Sequence, residues 1–214
     1  MVAILDDSKH LFMQLSSQHK DMEWEKGKTL FLALQYRCQA TADHSLVVAF
    51  AAYHLCLRMD RPQLAERMFL AGLLHDIGKL TMPDDILKSS RKLSEEERLG
   101  LIEHVQKGVD ALTELHFGDD IIHFCQSHHE RLDGSGYPQG IPEESFIGRI
   151  AAISDVYSAM KMPRLYRLNT IDDEGILNYL SDNPQQFDND FLQQLRSFLA
   201  EWNAYSSLPK KVPV

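Results

Sequence analysis

An adjacent histidine and aspartate end an apolar segment in the stretch LLHDIGK, residues 73–79. Histidine nitrogen and aspartate oxygen both bind transition metals, and a carboxylate can bridge two ions. Gly78 suits the left-handed residue that commonly ends a helix, so the pattern predicts His75 and Asp76 in the last helical turn. The negative end of the helix dipole would favour a cation there. A buried histidine paired with its neighbouring aspartate at an ordinary helix end explains the same stretch equally well.

Other histidines and one carboxylate occur where further helices are predicted. His104 lies four residues before Gly108, whose low helix propensity suggests that room is needed there. Two adjacent histidines open the stretch HHERLDGSGYP, residues 128–138, whose glycines and proline indicate a tight, defined loop. Asp155 lies among alanines, where an unpaired buried carboxylate would be costly. The candidate ligands are His44, His75, Asp76, His104, His128, His129 and Asp155.

The composition is that of a globular protein from a reducing compartment. A chain of 214 residues, 44% of them hydrophobic, can form one sizeable core. Three widely spaced cysteines indicate free thiols. The formal net charge of −9 argues against a nucleic-acid polymer as partner, because phosphate binding needs a basic face. No apolar run is long enough for a membrane span and the amino terminus is acidic, so we expect a cytoplasmic protein with no membrane partner.

The apolar segments follow helical spacing, and no convincing strand alternation, internal repeat or nucleotide-binding glycine motif occurs. The sequence therefore predicts an all-α fold. We expect a helical arm over residues 1–28, a main domain over 29–205 and a flexible tail over 206–214. Helical bundles build two-metal sites from side chains on separate helices, and Asp76 is suited to bridge the two ions. Water between such ions loses a proton near neutral pH and becomes an attacking hydroxide.

The chain resembles the HD-GYP phosphodiesterases. The shared elements follow in order from about Asp43 to Asn189, and they are HDIGK at 75–79, MPD at 82–84, His104 with Gly108, the 128–138 stretch and DVY at 155–157. The resemblance implies an HD-domain helical bundle with HD-GYP features. It further implies hydrolysis of cyclic di-GMP to linear pGpG or GMP by a metal-bridging hydroxide, with two divalent ions, iron or manganese. A diguanylate cyclase of the GGDEF type, or another signalling protein, is an expected partner.

The resemblance also implies roles for individual residues. Lys79 is expected to meet the scissile phosphate and to assist the leaving oxygen. Arg164 and Arg167 match a basic pair that could hold the second phosphate, and surface salt bridges are the alternative for both. The ligands expected for one ion are His44, His75, Asp76 and Asp155. The ligands expected for the other are Asp76, His104, His128 and His129. The residues of the motif loop are Asp133, Gly134, Gly136, Tyr137 and Pro138.

Two positions depart from the family pattern. Ala40 stands where some members place a glutamate for a third metal, so we expect two ions. Ser158 replaces a frequent aspartate after DVY, which predicts a difference in helix packing or in a contact behind the ligands. Three alternatives remain beside cyclic di-GMP hydrolysis. They are an inactive module that binds a cyclic dinucleotide or a protein, hydrolysis of another cyclic dinucleotide such as cyclic GMP-AMP, and hydrolysis of a different phosphate ester.

Overall fold

The computed structural model describes residues 3–89, 91, 94–162 and 171–206, and every regular element within these ranges is a helix. The all-α prediction is therefore confirmed. None of the described helices is long and apolar enough to cross a bilayer. The elements are α1 (Ala3–Gln18), α2 (Met22–Arg37), α3 (Gln39–Arg58), α4 (Pro62–Leu74), a 3₁₀ helix (Ile77–Thr81), α5 (Asp84–Leu87), α6 (Glu95–Glu114), α7 (Asp119–Ser127), α8 (Phe146–Lys161), α9 (Asp173–Ser181) and α10 (Asn189–Ser206).

Helix α3 lies at the centre of the core. All of residues 45–52 are buried, because α4, α8, α1, α2 and α10 pack around this helix. A helix that is apolar on every side is stable only when it is enclosed in this way. Gly72 permits the close approach of α4 to α3, since a Cβ there would lie 2.6 Å from the Ala49 Cα. The packing fixes α3 and α4 together, and these helices carry His44 and His75.

The amino-terminal region packs on the same core. Ile4, Leu5 and Leu15 of α1 are buried and belong to the main hydrophobic cluster. Helix α2 runs without interruption across position 28, where the sequence suggested a boundary. The division into arm, main domain and tail remains a prediction.

His54 packs between α3 and α10. Its ring stacks on Phe198 and meets the edge of Phe50, with both centroid distances at 4.5 Å. Burial, followed by the neighbouring Arg58 guanidinium, lowers the pKa of His54 to about 4. In the unfolded chain the imidazole titrates near 6.5. The stability that depends on a neutral His54 is therefore complete above pH 6.5 and is lost as the pH falls towards 4.

Replacing His54 with phenylalanine should reduce the loss of folding stability that occurs as the pH falls from 6.5 towards 4. A pKa difference of this size corresponds to at most roughly 3 kcal/mol. Urea unfolding of the metal-free protein between pH 7 and 4 measures the effect, with His10→Gln on the exposed side of α1 as the control. Identical pH profiles for His54→Phe and the wild type would contradict this account of His54.

Candidate metal centre

The seven candidate ligands converge from six helical segments onto one buried position. Two groups of three residues each have ligand atoms within 4.8 Å of one another. The first group is His44, His75 and Asp76, and the second is His104, His128 and His129. The carriers are α3 for His44, the end of α4 for His75, the start of the 3₁₀ helix for Asp76, α6 for His104, the end of α7 for His128 and His129, and α8 for Asp155.

Asp76 lies between the histidines of the first group and those of the second. Its Oδ2 is 3.4 Å from His75 Nε2 and 3.9 Å from His44 Nε2. Its Oδ1 is 3.2 Å from His104 Nε2 and 3.9 Å from His128 Nε2. One carboxylate oxygen thus faces each group, which is the arrangement that a bridging carboxylate requires.

Asp155 also faces both groups. Its Oδ1 lies 3.0 Å from His44 Nε2 and 3.8 Å from His75 Nε2. Its Oδ2 lies 3.3 Å from His129 Nδ1. The sequence prediction placed Asp155 with the first ion only and His129 with the second. In the structure Asp155 lies against histidines of both groups, and the division of the ligands between two ions remains a prediction.

Three of the histidines are oriented in the same way. In each, Nδ1 contacts the carbonyl oxygen three residues earlier, and a carbonyl can only accept a hydrogen bond. The proton is therefore on Nδ1, and the Nε2 lone pair faces Asp76, as in most histidine metal ligands. The pairs are His75 with Gly72 (2.8 Å), His104 with Leu101 (2.5 Å) and His128 with Cys125 (2.6 Å).

Two buried polar atoms at the centre support a bound cation. His75 Nε2 and Asp76 Oδ1 are both buried and have no hydrogen-bond partner among the described residues. Buried polar groups are nearly always paired, so an unpaired lone pair in the first group and an unpaired carboxylate oxygen facing the second require an explanation. One divalent ion in each group would satisfy these atoms, and the imidazole and carboxylate donors suit a transition metal.

The protonation states also suit metal binding. Burial and the adjacent His129 hold the pKa of His128 well below its usual range, and burial lowers the pKa of His129 to about 4. Both rings are therefore neutral near pH 7. Burial alone would raise the pKa of Asp76, but Lys79 and nearby histidines outweigh it and hold that pKa well below normal. Neutral imidazoles and an ionised carboxylate are the forms that bind a metal ion. At His75 burial alone would lower the pKa of the ring, but the adjacent Asp76 outweighs burial and raises it, so a metal ion at His75 Nε2 competes with a proton.

Gly78 has a different role from the one predicted. Helix α4 ends at Leu74, and Gly78 lies within the 3₁₀ helix without a positive φ. A Cβ at this position would lie 1.9 Å from the His104 carbonyl oxygen and 2.6 Å from the Gly108 nitrogen. The glycine is required because the 3₁₀ helix and α6 touch backbone to backbone. This contact brings Asp76 next to His104.

Gly108 provides the space that the sequence suggested. A Cβ on Gly108 would lie 2.8 Å from Cys125 Sγ and 3.3 Å from the Gly78 nitrogen. Cys125 Sγ in turn contacts the His75 carbonyl oxygen at 3.2 Å. The glycine pair therefore allows α6, α7 and the 3₁₀ helix to meet directly behind the histidines.

The motif loop folds back onto His129. Its Tyr137 ring lies 4.4 Å from the His129 ring, and the Tyr137 amide donates to the His129 carbonyl at 3.2 Å. A Cβ on Gly136 would lie 2.4 Å from that carbonyl oxygen, so only glycine fits. Gly134 has a φ of 75°, and Asp133 accepts a hydrogen bond from the Ser135 amide. The bond to Pro138 is cis.

Glu130 anchors this loop, a function that sequence reasoning missed. Its side chain is buried, and its two oxygens accept from the backbone amides of Gln139 (2.7 Å) and Gly140 (3.2 Å). A buried carboxylate that accepts two amide hydrogen bonds is well satisfied. An acid directly after two ligand histidines was the available signal, but its partners lie nine and ten residues further on.

Lys79 lies at the edge of the centre. Its Nζ is 2.6 Å from Asp76 Oδ2, and its side chain is 19% exposed. The ammonium therefore reaches from the buried carboxylate to the protein surface. Arg164 and Arg167 lie outside the described residues.

Residues 2–191 match the sequence profile of a family described as HD domain. The chain belongs to the HD domain family. The PgpH HD domain of L. monocytogenes, crystallised with cyclic-di-AMP, superposes with a TM-score of 0.64 at 19% identity. That superposition covers 86% of this chain and 100% of the PgpH chain. The HD-domain bundle predicted from the motifs is confirmed.

Two curated relatives are named as phosphodiesterases of cyclic dinucleotides. The cyclic di-GMP phosphodiesterase PA4108 of Pseudomonas aeruginosa is 39% identical over 129 residues, or 58% of this chain and 31% of PA4108. The 3'3'-cGAMP-specific phosphodiesterase 1 of Vibrio cholerae is 38% identical over 135 residues, or 61% of this chain and 31% of that protein. The chain thus matches about a third of the length of each relative. The recognition of HD-GYP-type relatives from the motifs is confirmed.

Proposed function

We propose that this HD domain is a metal-dependent phosphodiesterase that hydrolyses a cyclic dinucleotide, and cyclic di-GMP is the leading candidate substrate. One observation carries the proposal. Asp76 and Asp155 join the two groups of histidines, because each carboxylate directs one of its oxygens at the first group and the other oxygen at the second. The named activities of the two curated relatives support the substrate class.

The seven converging residues would hold two divalent ions, with iron or manganese expected. Such a pair, when bound, activates water and polarises a phosphoryl oxygen. Asp76 and Asp155 fix the distance between the two groups, because each spans them. The negative charge of the chain makes local positive charge necessary for an anionic substrate, and the two ions and Lys79 provide it.

The position of Lys79 suits contact with the substrate rather than stabilisation of the fold. Its Nζ carries protons at the boundary between Asp76 and the surface. From there it donates a hydrogen bond to a phosphate oxygen, and it can pass a proton to the leaving oxygen. A phosphate-holding role for Arg164 and Arg167, the product pGpG or GMP, and a diguanylate cyclase partner remain predictions.

Cyclic GMP-AMP is the second candidate substrate. The relatives named for cyclic di-GMP and for 3'3'-cGAMP match this chain at 39% and 38% identity, so the comparison favours neither. The two dinucleotides differ in one base, and both contain the same phosphodiester linkages. The metal centre alone therefore does not discriminate between them.

The test is hydrolysis by the purified protein after anaerobic loading with iron or manganese. Cyclic di-GMP and 3'3'-cGAMP are incubated separately, and linear and mononucleotide products are followed by chromatography. We expect metal-dependent loss of at least one of the two substrates. If both metal positions are filled and neither substrate is cleaved, the proposal is wrong, and the result favours a module that binds without hydrolysis.

A further inference from the structure

His44 is held by a different kind of partner from His75, His104 and His128, whose Nδ1 atoms contact backbone carbonyls. Its Nδ1 lies 2.8 Å from the Ser158 hydroxyl, which belongs to α8 and not to its own helix. The same hydroxyl also lies 3.0 Å from the His44 carbonyl oxygen. Ser158 is fully buried and is three residues after Asp155, so both side chains face His44 from one side of α8. Two contacts from one hydroxyl thus go to one histidine.

The hydrogen bonds can be assigned from the chemistry of the groups. A hydroxyl has one proton to donate and two lone pairs that accept. When His44 Nε2 offers its lone pair to a cation, Nδ1 carries the proton and donates it to Ser158. The Ser158 proton then goes to the His44 carbonyl. Because a hydroxyl can also donate to Nδ1, Ser158 fits either tautomer, whereas a backbone carbonyl fits only one.

We propose that Ser158 is a positioning residue that holds the His44 ring with Nε2 directed at Asp155 and Asp76. The inference rests on the proposed metal-dependent function. The outer partner of a ligating histidine fixes its orientation and tunes its strength as a donor. Ser158 is a neutral hydrogen-bond acceptor, so His44 is a weaker metal ligand than a histidine paired with a carboxylate. Because Ser158 contacts His44, a change at position 158 should lower the affinity for the ion on the His44 side more than the affinity for the other ion.

The test compares two buried serines of the same helix. Ser154 is also fully buried on α8, but its hydroxyl has no hydrogen-bond partner among the described residues. Mn²⁺ and Zn²⁺ are titrated by calorimetry into metal-free Ser158→Ala, Ser154→Ala and wild-type protein, and bound metal per chain is measured by elemental analysis. We expect Ser158→Ala to weaken one of the two equivalents by about 10- to 100-fold. Ser154→Ala should bind both as the wild type does.

The thermal midpoint of the metal-free variants separates positioning from general stability. If Ser158→Ala binds both equivalents like the wild type, or weakens both in parallel with a lower midpoint, the positioning role is wrong. Ser158→Cys keeps nearly the same volume and hydrogen-bonds weakly, so it should give an intermediate loss at one equivalent, and it replaces Ser158→Ala if that variant does not fold. A wild type that binds two ions without cleaving a cyclic dinucleotide overturns the proposed function but leaves this comparison intact.

Discussion

The Asp76→Ala variant is expected to lose both bound ions and to lower cyclic-dinucleotide hydrolysis by more than about 100-fold. Loss of an outer partner of a ligand already costs 10- to 100-fold, and Asp76 contacts both histidine groups directly. Its removal also leaves His75 Nε2 and His104 Nε2 without the carboxylate that they share. Bound metal per chain and turnover are measured together.

Asp119→Ala provides the control for the Asp76 variant. Asp119 is exposed in the first turn of α7, so the same chemical change there should leave metal content and turnover unaltered. Two ions still bound to Asp76→Ala would show that the assignment of the bridging ligand is wrong.

Replacing Gly78 with alanine should cause the largest loss of stability. The added methyl group would overlap the His104 carbonyl oxygen, which is backbone and cannot rotate away. Either α6 or the 3₁₀ helix must shift, at a cost of about 3 kcal/mol or more. For a chain of this length that corresponds to a decrease in the thermal midpoint of roughly 6–12 °C. The shift also separates Asp76 from His104, so metal affinity should fall with stability.

Gly100 offers a matched control on α6 itself. A Cβ at this position meets nothing within 4 Å. Gly100→Ala should therefore stabilise the helix by roughly 0.5–1 kcal/mol. If Gly78→Ala melts at the same temperature as Gly100→Ala, the backbone contact between the 3₁₀ helix and α6 is not as close as described.

The helices and the candidate ligands could be predicted from the sequence because both have local signals. Apolar residues recur at helical spacing, and His75, Asp76, His128 and His129 occur as adjacent pairs at predicted helix ends. The HD motif and the glycine-rich loop then indicated the family. The room predicted at Gly108 also followed from a local rule, because glycine within a helix is unfavourable unless something requires it.

The remaining features depend on contacts between distant parts of the chain. Gly78 fitted a helix-end rule, but its real constraint is the His104 carbonyl, which lies on another helix. The hydrogen bond between His44 Nδ1 and the Ser158 hydroxyl joins residues 114 positions apart. The second contact of Asp155, to His129, likewise depends on how α8 packs against α7. Sequence patterns identify such residues as unusual but do not identify their partners.

The most direct test of the binuclear phosphodiesterase is hydrolysis measured against the number of ions bound. Metal-free protein receives iron or manganese in steps under anaerobic conditions, and bound metal per chain and the initial rate with cyclic di-GMP and with 3'3'-cGAMP are recorded at each step. We predict almost no hydrolysis until the first equivalent is filled, followed by a rise with the second, because Asp76 and Asp155 act between two ions. Full hydrolysis with one ion or with none, or no hydrolysis of either substrate with two, would contradict the account.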